Sequence, residues 1–189
     1  AFLPLSRALD TAHRLAQAFT QVAQNHAPAP GTASAGVALV HHLHPLDAAL
    51  RAAREAERQA KRIEGKAALC ITAVKRSGEQ ETAVVKWDGV EVLKALIAHL
   101  QRGNLAGRFV ADAGSTLRAI PDDRAMLAAE LRRQARRHSS ETWRQSGEAD
   151  AFAQQLADWT AQLPDHVEGL RRWLGVARFI VRESQEAAQ

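Results

Sequence analysis

The sequence predicts an α+β fold: a small mixed unit over residues 1–100, followed by an all-helical unit over residues 101–189. Three observations predict it. Up to about Gly89, helical apolar periodicity alternates with short apolar runs, the pattern of helices laid on a sheet covered on one face. From Val90 onward every apolar pattern has the helical period. Much of the apolar content is alanine, which favours close-packed helices.

The elements follow in order. "AFLPL" is apolar from its first residue and reads as the end of a strand. Ser6 is placed to cap a helix from Arg7 to about Gln24, with Ala8, Leu9, Ala12, Leu15, Ala16, Phe19 and Val22 on its apolar face. "NHAPAPGTAS" is a loop punctuated by Pro28, Pro30 and Gly31. The strand "AGVALVHH" carries the buried run Val37–Val40. Pro45 suits the first turn of a helix reaching about Ile63. Leu46, Ala49, Leu50, Ala53, Ala56, Ala60 and Ile63 share its apolar face, Arg51, Arg54, Glu55, Arg58, Lys61 and Arg62 its charged face, and Gly65 ends it. "AALCITAVK" and "ETAVVKWDG" form a hairpin with Gly78 in the turn. The helical part comprises "VEVLKALIAHLQRG", a shorter "AGSTLRAI" ended by Pro121, then "DRAMLAAELRRQARRH", "DAFAQQLADWTAQL" and "HVEGLRRWLGVARFIVRES". Asp122 or Asp123 caps the first of the last three, and the boundary between the two parts is placed between Gly89 and Gly103.

Composition sets the class. The chain has 189 residues, 24% of them charged, and a net charge of +4, as a globular protein has. That charge permits phosphate or nucleic-acid contact without requiring it. One cysteine, Cys70, cannot form an internal disulfide, which suits a reducing, cytoplasmic setting; inside an apolar run it reads as a structural thiol. No segment reaches the roughly 18 consecutive apolar residues of a membrane span, and no signal peptide opens the chain. With no initial methionine, the chain reads as a piece of something longer.

Several residues are candidates for chemistry. His41, His42 and His44 end the first full strand; extended, His42 and His44 would share a face and could chelate a metal. No C-x-x-C or H-E-x-x-H element completes such a site, so no metal is assigned. The small residues Ser34, Ala35 and Gly36 would let a ligand approach the backbone, although strands often start this way with no ligand. Lys61 and Lys66 bracket a helix end, where the macrodipole favours cations and a phosphate clamp is the functional alternative. Arg132, Arg133, Arg136 and Arg137 make a basic band on one helix, either a solvated face or a contact for RNA or an acidic partner. Trp143, Phe152, Trp159, Trp173 and Phe179 read as core. No catalytic group is assigned.

The order "TASAGVALVHHLHPLDAALRAAREAERQAK", "GKAALCITAVKRSGE", "ETAVVKWDG" resembles the C-terminal palm of the large subunit of type III CRISPR effector complexes, most of all the III-B, or Cmr-type, branch. A fainter resemblance is to diguanylate cyclases, where a serine-rich strand precedes a helix ending in Ala-Lys and a glycine. The first resemblance implies a partial ferredoxin-like palm of the nucleotide cyclase and polymerase type. It implies that the parent binds ATP and Mg²⁺ and makes cyclic oligoadenylates on target RNA recognition, in antiviral defence. Its Gly-Gly-Asp-Asp hairpin would lie just before Ala1, so this chain alone would bind no cofactor and make no product. Implied partners are other effector subunits, especially small helical ones, guide RNA and target RNA, with no membrane. Ser34, Ala35 and Gly36 match the strand lining the nucleotide pocket, and Lys61 and Lys66 match basic positions facing the triphosphate. The rival reading is a non-catalytic palm-plus-helical scaffold; less favoured is a diguanylate-cyclase-like fragment.

Overall fold

The computed structural model describes residues 1–26, 31–120 and 123–186. They divide into two compact units, Ala1–Val90 with Glu186, and Glu91–Gln185. Pro28, Pro30, Pro121 and Asp122 lie outside the described residues.

The first unit is a three-stranded sheet with two helices. Helix α1 (Leu5–His26) packs against β1 (Ala35–Leu39), and α2 (Leu46–Arg62) leads from β1 to β2 (Ala68–Val74). Strand β3 (Gln80–Lys86) returns from β2 through a turn in which Gly78 takes a φ of +84°. The order is β1-β2-β3, with β1 parallel and β3 antiparallel to β2. The register pairs Gly36 with Cys70 and Ala68 with Lys86.

All seven residues of the central strand β2 are buried. Side chains alternate across a strand, so both faces of β2 are covered, where the sequence suggested cover on one. On one face Ala68 and Cys70 pack with Ala56 and Ala60 of α2, joined by Ile63 and Val84. Leu69, Ile71 and Ala73 occupy the alternate positions and are also fully buried.

The contact of α2 with β1 explains the alanines. A Cβ added to Gly36 would lie 2.1 Å from the Glu57 backbone nitrogen and 2.5 Å from the Ala53 oxygen. Strand backbone and helix backbone therefore touch, which only small residues permit. Trp87 fixes the same region. It begins a 3-10 turn (Trp87–Gly89), donates its indole N–H to the Ala33 carbonyl at 2.7 Å, and stacks on His13 of α1 with ring centres 5.9 Å apart.

Four expectations are corrected here. Ala1–Pro4 form no strand and are exposed. The first helix starts at Leu5, so Ser6 sits inside its first turn rather than capping it. Strand β1 stops at Leu39, because the chain turns at the histidines, with the His44 N–H donating to the His41 carbonyl at 2.8 Å. Its first four residues are only half-buried, as suits a strand at the edge. Nor are the apolar faces of the two helices wholly buried: Leu15, Phe19 and Val22 of α1 and Leu46 and Leu50 of α2 are exposed.

The second unit holds α3 (Val90–Gln101), α4 (Arg108–Thr116) with a 3-10 turn (Leu117–Ala119), α5 (Arg124–His138), α6 (Glu141–Gln145), α7 (Glu148–Thr160) and α8 (His166–Glu186), the first and last of these helices each extending one residue outside it. Its division from the first unit falls earlier than residue 100, because Leu93, Leu96, Ile97 and Leu100 of α3 are buried as helical-unit residues. The short helix at "AGSTLRAI" starts at Arg108 instead, and α6 was not foreseen. Asp123 caps α5, its carboxylate accepting from the Met126 N–H at 2.7 Å. Trp143, Phe152, Trp159, Trp173 and Phe179 are buried, as expected of core aromatics. No described helix is long and apolar enough to cross a membrane.

Gly36→Ala should destabilise the protein by more than about 2 kcal/mol in urea denaturation, because the added methyl meets two backbones that cannot swing aside. A change near zero would mean that β1 is free to move off α2.

Candidate functional site

The topology gathers one end of the sheet. Because β1 and β2 are parallel, the start of β1 lies beside the start of β2. The C-terminal end of α2 leads into the start of β2, and the antiparallel β3 ends there. Ser34–Gly36, Arg62–Ala68 and Lys86 are therefore brought to one edge.

The link from α2 to β2 has an unusual backbone. Gly65, Lys66 and Ala67 all have positive φ, at 72°, 52° and 51°. Left-handed geometry suits glycine but costs about 1–2 kcal/mol for other L-residues. The turn is held by the Lys66 N–H donating to the Ile63 carbonyl at 2.8 Å and the Trp87 N–H donating to the Ala67 carbonyl at 3.2 Å. Strain of this kind persists only where surrounding contacts impose it, and it concentrates at functional sites.

The two lysines singled out in the sequence differ in their surroundings. Lys61 forms an ion pair with Glu57 one helical turn back, at 2.6 Å, and this cation keeps the Glu57 carboxyl below its usual range. Lys66 is exposed and, among the described residues, has no ion pair; the same holds for Arg62 and Lys86. Lys86 was missed by sequence reasoning. The hairpin register was the available signal, since it sets Lys86 opposite Ala68 and so beside the Gly65 turn. A Cβ on Gly65 would lie 3.3 Å from the Lys86 Nζ, so this side chain lies over the turn. Ser34 and Ala35 are half-buried at the start of β1, while Gly36 is taken up by its contact with α2.

The histidines are not arranged as ligands. His41 and His42 have ring centres 4.2 Å apart, and the His41 Nδ1 accepts from the Leu43 N–H at 3.3 Å. Among the described residues no group of three or more metal-ligating side chains could hold a metal ion. Cys70 is fully buried and its thiol is pushed up to about 12, chiefly by burial, as befits a core residue.

In the helical unit the basic band is mostly paired. Arg133 donates twice to Glu130, each at 2.7 Å, and Arg136 donates to both oxygens of Asp150, at 2.7 and 2.5 Å. Both carboxyls are held below their usual range, first of all by these hydrogen bonds. Arg132 reaches Gln154 at 3.3 Å. Arg137 is exposed and has no ion pair among the described residues.

Two comparisons bear on this arrangement. Residues 1–70 match the family model described as Cas10/Cmr2, second palm domain. That span takes in α1, β1, α2 and the first residues of β2. The chain is also 34% identical over 118 residues to the CRISPR system Cmr subunit Cmr2 of Pyrococcus furiosus, covering 58% of this chain and 13% of that protein. The chain thus spans about 13% of the length of the curated relative it matches. Both support the resemblance to a Cmr2-type large subunit that the order of motifs carries.

Ala67→Gly should stabilise the protein by up to about 1 kcal/mol in urea denaturation, by relieving the left-handed strain at that position. Destabilisation would show that the turn is relaxed as it stands.

Proposed function

We propose that this chain contributes the phosphate-facing edge of a nucleotide-binding palm in a type III CRISPR large subunit, the rest of that palm being supplied by residues outside it. The observation that carries this reading is the gathering of Ser34–Gly36 and Lys66 at one end of the sheet. The family match over residues 1–70 supports it, since that span holds both segments. The half-buried Ser34 and Ala35 at the start of β1 would let a ligand approach the backbone, Gly36 being filled by α2, and Lys66, with no ion pair among the described residues, supplies a point charge for phosphate oxygens.

The proposed substrate is ATP, and the proposed role of the whole protein is synthesis of cyclic oligoadenylates when target RNA is bound. The carboxylates and Mg²⁺ of that chemistry would come from residues other than Ser34–Gly36, Lys61 and Lys66. Lys66 would hold the triphosphate and Lys61 would be secondary, because Glu57 already neutralises it. Arg137 is the residue of the basic band best placed to meet RNA or another effector subunit, since two of its three neighbours in that band are paired with acids. We place the protein in the cytoplasm.

A second reading is favoured by one observation. Leu15, Phe19 and Val22 form an exposed stripe on α1, 64%, 52% and 58% accessible. A palm that serves as a scaffold would use such a stripe against a further protein segment.

ATP binding decides between them. Lys66→Ala should weaken ATP binding about tenfold, the value of one charge-assisted contact, in isothermal titration. Equal affinity in the variant and the parent would remove the phosphate role and leave the scaffold.

A further inference from the structure

Building on the triphosphate reading above, we infer that Lys86 is a second phosphate-binding cation of the sheet end, acting with Lys66 across the Gly65–Ala67 turn. The ligand it fits is the polyphosphate chain of a nucleoside triphosphate.

Position comes first. Lys86 is the last residue of β3 and pairs with Ala68, the first of β2. Its Nζ lies over Gly65, close enough that a methyl there would sit 3.3 Å away. A long, flexible cation folded onto a turn gives up rotamer freedom that an extended one in water would keep.

Charge points the same way. On α2 and at the hairpin turn, Arg51, Arg58, Lys61 and Lys75 have carboxylate partners, while Arg54, away from the sheet end, has no ion pair among the described residues. Arg62, Lys66 and Lys86 have none among the described residues, although the exposed Glu64 and Asp88 lie on the same two segments. Arg62 still acts electrostatically on Glu55, but Lys66 and Lys86 meet at one turn with no ion pair among the described residues, and a bound polyanion would offset their mutual repulsion. Lysine, a compact charge on a flexible stem, suits several phosphate oxygens in succession.

Helix electrostatics explain only part of this. The C-terminal end of α2 favours cations, which accounts for Arg62 and for the general placement of Lys66. It does not account for the positive φ of Lys66 and Ala67. That geometry turns the chain sharply between helix and strand, at the place where Lys86 arrives from another strand.

The test is binding of inorganic triphosphate, ATP and AMP, with thermal melting, for the parent protein and for Lys86→Ala, Lys86→Arg, Lys66→Ala and Arg54→Ala. Arg54 is an exposed α2 cation without a described ion pair and serves as the control. Lys86→Ala should weaken triphosphate and ATP about tenfold and AMP less than twofold. Lys86→Arg should restore most of the affinity, and Arg54→Ala should change little. A Lys86→Ala variant that melts earlier yet binds ATP as the parent does would show a helix-end cap only, and would overturn the inference. If Lys66→Ala weakens ATP while Lys86→Ala does not, this inference falls and the triphosphate reading stands. If the parent binds neither ATP nor triphosphate, both fall.

Discussion

The α/β unit depends on one contact between two backbones. At Gly36 the strand β1 lies so close to α2 that a single methyl group would collide with the Glu57 nitrogen and the Ala53 oxygen. The rest of the layer follows from this approach. Alanines at positions 56 and 60 let the helix continue down onto β2, where they meet Ala68 and Cys70. Close packing of small residues gives less burial per side chain than leucine would. It compensates by fixing distance and register, since there is no long side chain to repack.

That register determines where chemistry can occur. A parallel pair, a crossover helix and an antiparallel return place the start of β1, the end of α2 and the end of β3 at one edge. Trp87 ties this edge together from β3, bonding to Ala33 and stacking on His13. The strained turn at Gly65–Ala67 is then a sharply bent link on this frame, with two non-glycine residues at positive φ. A rigid frame with a cationic bend is the form a phosphate-holding edge takes when the ligand must find its charges already in place.

Much of this was legible in the sequence. The helix–strand alternation, the hairpin about Gly78 and the all-helical C-terminal part follow from apolar period and turn residues. The order of small-residue strand, Ala-Lys helix end and glycine made Ser34, Ala35, Gly36, Lys61 and Lys66 candidates, and the topology brings Ser34–Gly36 and Lys66 to one end of the sheet. What was not legible is tertiary. Which lysine is neutralised depends on the side-chain reach of Glu57, and the arrival of Lys86 depends on strand register. Period alone predicted burial for Leu15, Phe19 and Val22, but period reports a face and not whether anything covers it. The histidines looked like a strand end because their apolar neighbours ran into them; the turn that lifts them off the sheet is set by Pro45 starting α2. They have no assigned role.

The central claim is that one end of the sheet holds the phosphates of a nucleotide. Amide hydrogen exchange in the full-length protein, with and without saturating ATP and Mg²⁺, tests it most directly. The account predicts slower exchange at Ser34–Gly36, Glu64–Ala68 and Lys86–Trp87, with little change in α5. Protection confined to the helical unit, or spread evenly over the chain, would contradict it.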